Sequence, residues 1–124
     1  MNSKILLIED EDGLRQSLLM MLMAEGYDVL SADNGSIGVD LAMSEYPDLI
    51  ICDLRMPRLS GDRVLDILRQ ESITEQTPFI CISSQDQHTA PSPVKDLAQN
   101  NYLQKPFSRQ DLLGAINREL YAAV

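Results

Sequence analysis

The chain has 124 residues, 44% of them apolar, and a formal net charge of −9. That length supports one buried core without disulfide or metal staples, and the apolar content excludes wholesale disorder. The acidic balance excludes a basic electrostatic footprint, so direct nucleic-acid binding is not expected.

Met1-Asn2-Ser3-Lys4 leads into an apolar run too short for a signal-peptide core or a membrane span, so a cytoplasmic location is expected. Ile5 to Ile8 is apolar without alternation, the pattern of a strand covered on both faces. The acidic run Glu9-Asp10-Glu11-Asp12 follows. Leu14, Leu18, Met21 and Leu22 then recur at helical spacing, with Asp12 as the expected cap and Gly26 as the terminator. Tyr27 to Ala32 reads as a second strand. Beyond the Asn34-Gly35 turn, Ser36 is the expected cap of a helix reaching about Tyr46, where Pro47-Asp48 stops it.

Leu49 to Cys52 is a third apolar run and ends on Asp53. Arg55 to Gly61 is a loop, and Val64, Leu65 and Leu68 mark a third helix. Pro78 opens a fourth strand, Phe79 to Ile82, ending at Ser83. Pro91 and Pro93 forbid a helix interior across them, so a short helix is expected from near Pro93 to near Asn100. Tyr102-Leu103 is a brief fifth strand. Ser108 and Asp111 resemble a capping box with Asp in place of Glu, and Leu112, Leu113, Ile116 and Leu120 form the apolar face of a last helix. Cys52 and Cys81 sit in apolar runs and read as buried reduced thiols without metal-site spacing. His88 is expected to be exposed, and Met20, Met21 and Met23 to fill and flank the core.

Strands alternate with helices, which predicts a parallel sheet with helices on both faces and right-handed crossovers. In such sheets the functional crevice lies at the carboxyl ends of the strands, near the switch point in strand order. The residues at those ends are Glu9 and Asp10, Asp53, Ser83, and Lys105 before Pro106. Taken singly, each has a bland reading: a solvated loop, a turn cap, a strand-end hydroxyl, a surface lysine. Their joint placement carries the assignment. Three carboxylates brought together repel unless a cation neutralises them, and Mg²⁺ suits such a hard oxygen set. Asp53 then serves as nucleophile, with Lys105 and the Ser83 hydroxyl directed at phosphoryl oxygens.

Over nearly its whole length the chain resembles a response-regulator receiver domain. The segments that carry the resemblance are Ile5-Leu6-Leu7-Ile8-Glu9-Asp10, Asp48 to Pro57, Gly61, Thr77 to Ser83, and Tyr102-Leu103-Gln104-Lys105-Pro106-Phe107. The resemblance implies one receiver domain over residues 1–124, with a doubly wound five-stranded parallel sheet in the flavodoxin-like order 2-1-3-4-5. It implies Asp53 as acceptor of a phosphoryl group from a histidine kinase or histidine phosphotransfer protein, with later self-hydrolysis and no separate substrate. It implies Mg²⁺, with Mn²⁺ as an alternative, held by Asp10, Asp53 and the Arg55 backbone carbonyl, with Glu9 acting through water. Ser83 and Tyr102 are implied as the switch pair, Tyr102 turning inward on phosphorylation. Lys105 is implied as the phosphate partner, with a cis Lys105-Pro106 bond. The start of the first helix, at Leu14 and Arg15, is implied in kinase docking. Arg55 occupies a position that varies in the family and can touch the phosphoryl group. Gln99, Asn100, Ser84, Pro91 and Pro93 depart from the family pattern, which bears on the output surface and the phosphoryl lifetime.

Other readings meet specific obstacles. An EF-hand on Asp10, Asp12 and Gly13 needs oxygen ligands where Ile8 and Leu19 stand. An aspartate-nucleophile phosphatase of the haloacid-dehalogenase class needs a carboxylate where Arg55 stands. A receiver-shaped module working without phosphorylation is opposed by the intact polar set. The last helix runs to the chain end without a linker, so a stand-alone regulator with a separate protein effector is expected.

Overall fold

The computed structural model describes residues 2–121. Its elements are β1 (Lys4–Ile8), α1 (Asp12–Ala24), β2 (Asp28–Ala32), α2 (Gly35–Glu45), β3 (Leu49–Asp53), α3 (Gly61–Arg69), β4 (Phe79–Ser83), β5 (Tyr102–Gln104) and α4 (Arg109–Tyr121). All strand pairs are parallel and the sheet order is β2-β1-β3-β4-β5, as expected for a flavodoxin-like fold. Among the described residues no helix is long and apolar enough to cross a membrane.

The unbroken apolar runs are explained by the two covered faces. Successive strand side chains point to opposite sides. Leu6, Ile8, Ile50 and Cys52 therefore pack with Ala42 of α2 and with Val64, Leu65 and Leu68 of α3. Ile5, Leu7, Leu49, Ile51, Ile80 and Ile82 face the other way, onto Leu18 and Leu22 of α1 and Leu112, Ala115 and Ile116 of α4. Cys52 and Cys81 are register partners on β3 and β4, and both thiols are free and buried. His88 is exposed, as expected. The methionines divide: Met56 is buried, but Met20 and Met23 stand on the solvent side of α1.

Helix starts differ from expectation in two places. Glu11, not Asp12, caps α1: its carboxylate accepts from the Gly13 and Leu14 N–H groups at 3.0 and 2.6 Å. Asp12 already lies in the first turn, where its carboxylate pairs with Arg15 at 2.6 Å. Asn34, not Ser36, caps α2, accepting from the Ile37 N–H at 2.9 Å. Asn34 holds the extended backbone a cap requires, whereas Ser36 is inside the first turn. Gly26, at φ +94°, ends α1 in the region that favours glycine. At α4 the reciprocal box is present: Ser108 Oγ accepts from the Asp111 N–H at 2.9 Å, and the Ser108 N–H donates to the Asp111 carboxylate at 3.2 Å.

The short helix expected from near Pro93 to near Asn100 is replaced by 3-10 turns at Gln87–Thr89, Val94–Asp96 and Gln99–Asn101. Pro91 and Pro93 supply no N–H, and the backbone turns extended again at Leu97 and Ala98. The Gln87 amide takes the Leu97 carbonyl at 2.9 Å, satisfying an acceptor that a helix would use internally. Buried Val94 anchors the stretch to the core. The Ser92-Pro93 and Lys105-Pro106 bonds are cis, the second as expected.

Gly61 permits the closest approach in the site's scaffold. Its N–H donates to the Leu54 carbonyl at 2.8 Å. A Cβ there would fall against the Asp53 carbonyl oxygen and within 2.9 Å of Leu54 Cα. Gly61→Ala is therefore expected to cost about 1–3 kcal/mol in chemical denaturation, because backbone rather than a flexible side chain must give way. An unchanged unfolding midpoint would show that the α3 start and the Asp53 backbone can separate freely.

Candidate functional site

The chain turns to opposite sides of β1: β2 lies on one flank and β3, β4 and β5 on the other. The switch point is thus between β1 and β3, at their carboxyl ends. Glu9 and Asp10 leave β1 there, and Asp53 closes β3. Carboxylate oxygens of Glu9, Asp10 and Asp53 lie within 4.8 Å of one another. Ser83 closes β4, and the Lys105 N–H donates to its carbonyl at 2.7 Å, tying the ends of β4 and β5 together.

Lys105 Nζ reaches Asp53 Oδ1 at 3.2 Å and Glu9 Oε1 at 3.6 Å. Glu9 is fully buried, and Asp53 only 5% exposed. Burial pushes the Glu9 carboxyl up to about 7; the Glu11 N–H resists this, Asp53 adds to it, and Lys105 opposes it. Burial also raises Asp53, against Lys105 and with a contribution from Asp10. Burial pulls Lys105 down, but the Asp53 and Glu9 carboxylates outweigh it, and its pKa ends above the ordinary value. One ammonium pairs with two of the three clustered carboxylates, which leaves room for further positive charge.

The oxygen set fits a hard divalent cation. Glu9 Oε1 is buried without a hydrogen-bond donor, while Oε2 accepts from the Glu11 N–H at 3.1 Å. A buried carboxylate oxygen with only a long ion pair to Lys105, beside two other carboxylates, is what an ion or its bound water would satisfy.

Ser83 is fully buried, and its Oγ accepts from the Gln85 N–H at 3.0 Å. Tyr102 is only 6% exposed, and its hydroxyl donates to the Gln85 carbonyl at 2.6 Å. The ring is therefore already inward here, in contrast to the turn expected on phosphorylation. The Arg55 guanidinium is exposed and donates to the Gln85 side chain. Leu14 and Met21 of α1, with Lys105, Pro106 and Phe107, line a groove of about 370 Å³ beside the site.

Two supporting roles were not legible in the sequence. Arg15 donates to the Glu9 carbonyl at 3.0 Å, holding the turn that presents Glu9 and Asp10. Gln85 touches Ser83, Tyr102 and Arg55 together. No residue pattern marks either role, since the partners come from different elements.

A family model described as the response regulator receiver domain matches residues 5–117. Protein PilH of Pseudomonas aeruginosa is 35% identical over 118 residues, covering 95% of this chain and 98% of PilH. The alkaline phosphatase synthesis transcriptional regulatory protein PhoP of Bacillus subtilis is 33% identical over 112 residues, covering 90% of this chain but only 46% of PhoP. Among solved structures, a response regulator receiver domain protein from Clostridium thermocellum superposes with TM-score 0.86 at 31% identity, covering 98% of this chain and 96% of that one. The receiver domain of the sensor histidine kinase PA1611 from Pseudomonas aeruginosa, with a magnesium ion coordinated in its active-site cleft, superposes with TM-score 0.86 at 27% identity, covering 97% and 98%. With its sheet order and its acidic pocket at the switch point, the chain belongs to the response regulator receiver domain family of two-component signalling systems.

Proposed function

We propose that Asp53 is the phosphoacceptor, taking a phosphoryl group from a phosphohistidine of a histidine kinase or a histidine phosphotransfer protein. The observation that carries this reading is the buried Asp53 carboxylate, held by Lys105 at 3.2 Å and grouped with Glu9 and Asp10. An Asp53 oxygen attacks phosphorus, the P–N bond breaks, and the departing imidazole keeps the electron pair and takes a proton. Later a water attacks the same phosphorus and the P–O bond to Asp53 breaks, returning the carboxylate and inorganic phosphate. The chain acts on its own phosphoryl group alone, as a signalling receiver spanning residues 1–124. A cytoplasmic location accompanies that class of donor.

Lys105 keeps its ammonium on the anionic oxygens through both steps. Ser83 donates its hydroxyl to a phosphoryl oxygen after releasing the Gln85 N–H, and Tyr102 responds as its switch partner. Asp10, Asp53 and the Arg55 carbonyl would hold Mg²⁺ or Mn²⁺, with Glu9 acting through water. The ion supplies charge neutralisation for the phosphoryl oxygens when bound. The groove beside Leu14 and Phe107 suits the donor's helix face, apolar in its floor and adjacent to Lys105.

The test is incubation with acetyl phosphate and Mg²⁺, read by intact mass and peptide mapping. One phosphoryl group on the peptide containing Asp53 is expected; labelling elsewhere overturns the assignment.

Metal binding has its own signature. Glu9 is raised from 4.5 to about 7, so its contribution to stability is fully present below pH 4.5 and is lost as pH rises through about 7. A divalent ion favours the ionised set and offsets that loss. The rise in Tm on adding Mg²⁺ is therefore expected to grow from about pH 5 to about pH 8, by a few degrees per kcal/mol. Asp10→Asn is expected to remove most of that gain. A gain that ignores pH, or survives Asp10→Asn in full, contradicts this ligand set.

A further inference from the structure

Gln85 follows Ser83 by two residues, in the stretch leaving β4, and all of its polar groups are engaged. Its N–H donates to Ser83 Oγ at 3.0 Å, and its backbone carbonyl accepts the Tyr102 hydroxyl at 2.6 Å. Its side-chain oxygen accepts from Arg55 Nε at 2.9 Å and also from Arg55 Nη2. Its side-chain nitrogen donates to the Thr89 carbonyl at 2.7 Å and to the Thr89 hydroxyl at 3.1 Å. One residue thus joins the loop after β3, the ends of β4 and β5, and the first 3-10 turn.

The cations around the site are unequally committed. Lys105 pairs with Asp53 and Glu9, and Arg15 with Asp12. Arg55, two residues beyond Asp53, holds a neutral amide oxygen and forms no ion pair among the described residues. A guanidinium binds a phosphoryl dianion through paired, charge-assisted hydrogen bonds, which outweigh bonds to a neutral amide. Arg55 is also exposed, so its transfer crosses no packed core.

We infer that Arg55 is a latch: it holds the Gln85 side chain in the unmodified protein and lets go when a phosphoryl group on Asp53 draws it away. This rests on the reading of Asp53 as acceptor. Besides the Tyr102 hydroxyl on its carbonyl, two links hold Gln85 toward Asp53, its side chain to Arg55 and its backbone N–H to Ser83. Departure of Arg55 breaks the first, and the turn of Ser83 toward the phosphoryl group breaks the second. Freed of both, Gln85 releases the Thr89 turn and carries away the acceptor of the Tyr102 hydroxyl. Residues 84–90 are then the first segment to move, with Arg55 as the positioning residue that couples them to Asp53.

The experiment uses the full chain, nitrogen-labelled, with beryllofluoride and Mg²⁺ as the phosphoryl mimic. Two readings are taken: the Arg55 Nε–H resonance, and hydrogen exchange of the Thr89 and Ala90 amides, which bond the Asp86 and Gln87 carbonyls. The mimic is expected to shift the Arg55 resonance and to speed both amides about tenfold, the scale of losing a hydrogen bond or two. Arg55→Ala keeps the backbone carbonyl; it is expected to speed the same amides about tenfold without the mimic and leave less than about threefold further response. Gln85→Ala should reproduce it. An Arg55 resonance that stays put while the Asp53 amide responds overturns the latch alone, as does unchanged Thr89 and Ala90 exchange in Arg55→Ala. No response at Asp53 itself overturns the acceptor assignment and the latch with it.

Discussion

Asp53→Asn is expected to abolish phosphoryl uptake, leaving the intact mass unchanged after acetyl phosphate and Mg²⁺ under conditions that label the parent fully. Asparagine keeps the shape of the side chain but replaces the anionic nucleophile with a neutral amide. Nothing else among the carboxylates substitutes for it. Glu9 is fully buried and paired with Lys105, and Asp10 follows β1 on the other side of the switch point. Stability should not fall with activity. Burial raises the Asp53 pKa above its ordinary value even with Lys105 beside it. A raised carboxylate contributes stability that is present below its ordinary pKa and lost as pH rises through the folded one. At neutral pH the parent carries that cost and the asparagine variant does not. Its denaturation midpoint at pH 7 is therefore expected to match or exceed the parent's. Full labelling of Asp53→Asn would refute the acceptor assignment; a collapsed midpoint would show that the carboxylate, not the phosphoryl chemistry, is what the pocket is built around.

Lys105→Met should produce the second-largest effect, slowing phosphoryl uptake by about 10²–10³-fold at saturating Mg²⁺, the scale of losing one preorganised charge stabiliser. Methionine keeps the length of the side chain and removes the ammonium. Lys105 is 28% exposed on its side chain, yet its two partners are nearly enclosed, so the consequence falls on them. Glu9 and Asp53 lose the cation that opposes their rise and move higher still. The stability deficit of the variant is therefore small near pH 5 and grows toward pH 8, reaching about 2 kcal/mol where an enclosed anion is left without its partner. Added Mg²⁺ should recover more stability in the variant than in the parent. A deficit that is flat with pH would mean that Lys105 acts through packing, not charge.

Much of this arrangement can be read along the chain. The unbroken apolar runs Ile5–Ile8 and Leu49–Cys52 report strands covered on both faces, and the two opposed clusters are what cover them. Their regular alternation with helices leaves few topologies, and the strand ends then name Glu9, Asp10, Asp53, Ser83 and Lys105. Local competition is harder to read. Glu11 displaced Asp12 as cap because Arg15 claimed Asp12, and Asn34 displaced Ser36 because the turn began earlier. The helix expected from near Pro93 to near Asn100 is absent because Pro91 and Pro93 lack donors and side chains such as Gln87 took the carbonyls instead.

The sequence by itself determined the class of sheet, the order of its elements and the polar residues delivered to one edge, since hydrophobic period and strand ends are local properties. Only the tertiary structure decided how those residues meet. Lys105 joins Asp53 across 52 positions and Gln85 joins Arg55 across 30, distances along the chain that no local pattern spans. The raised Glu9 and Asp53 carboxyls belong to the same category. Their shifts come first from burial, and burial is a property of what the rest of the chain packs over them.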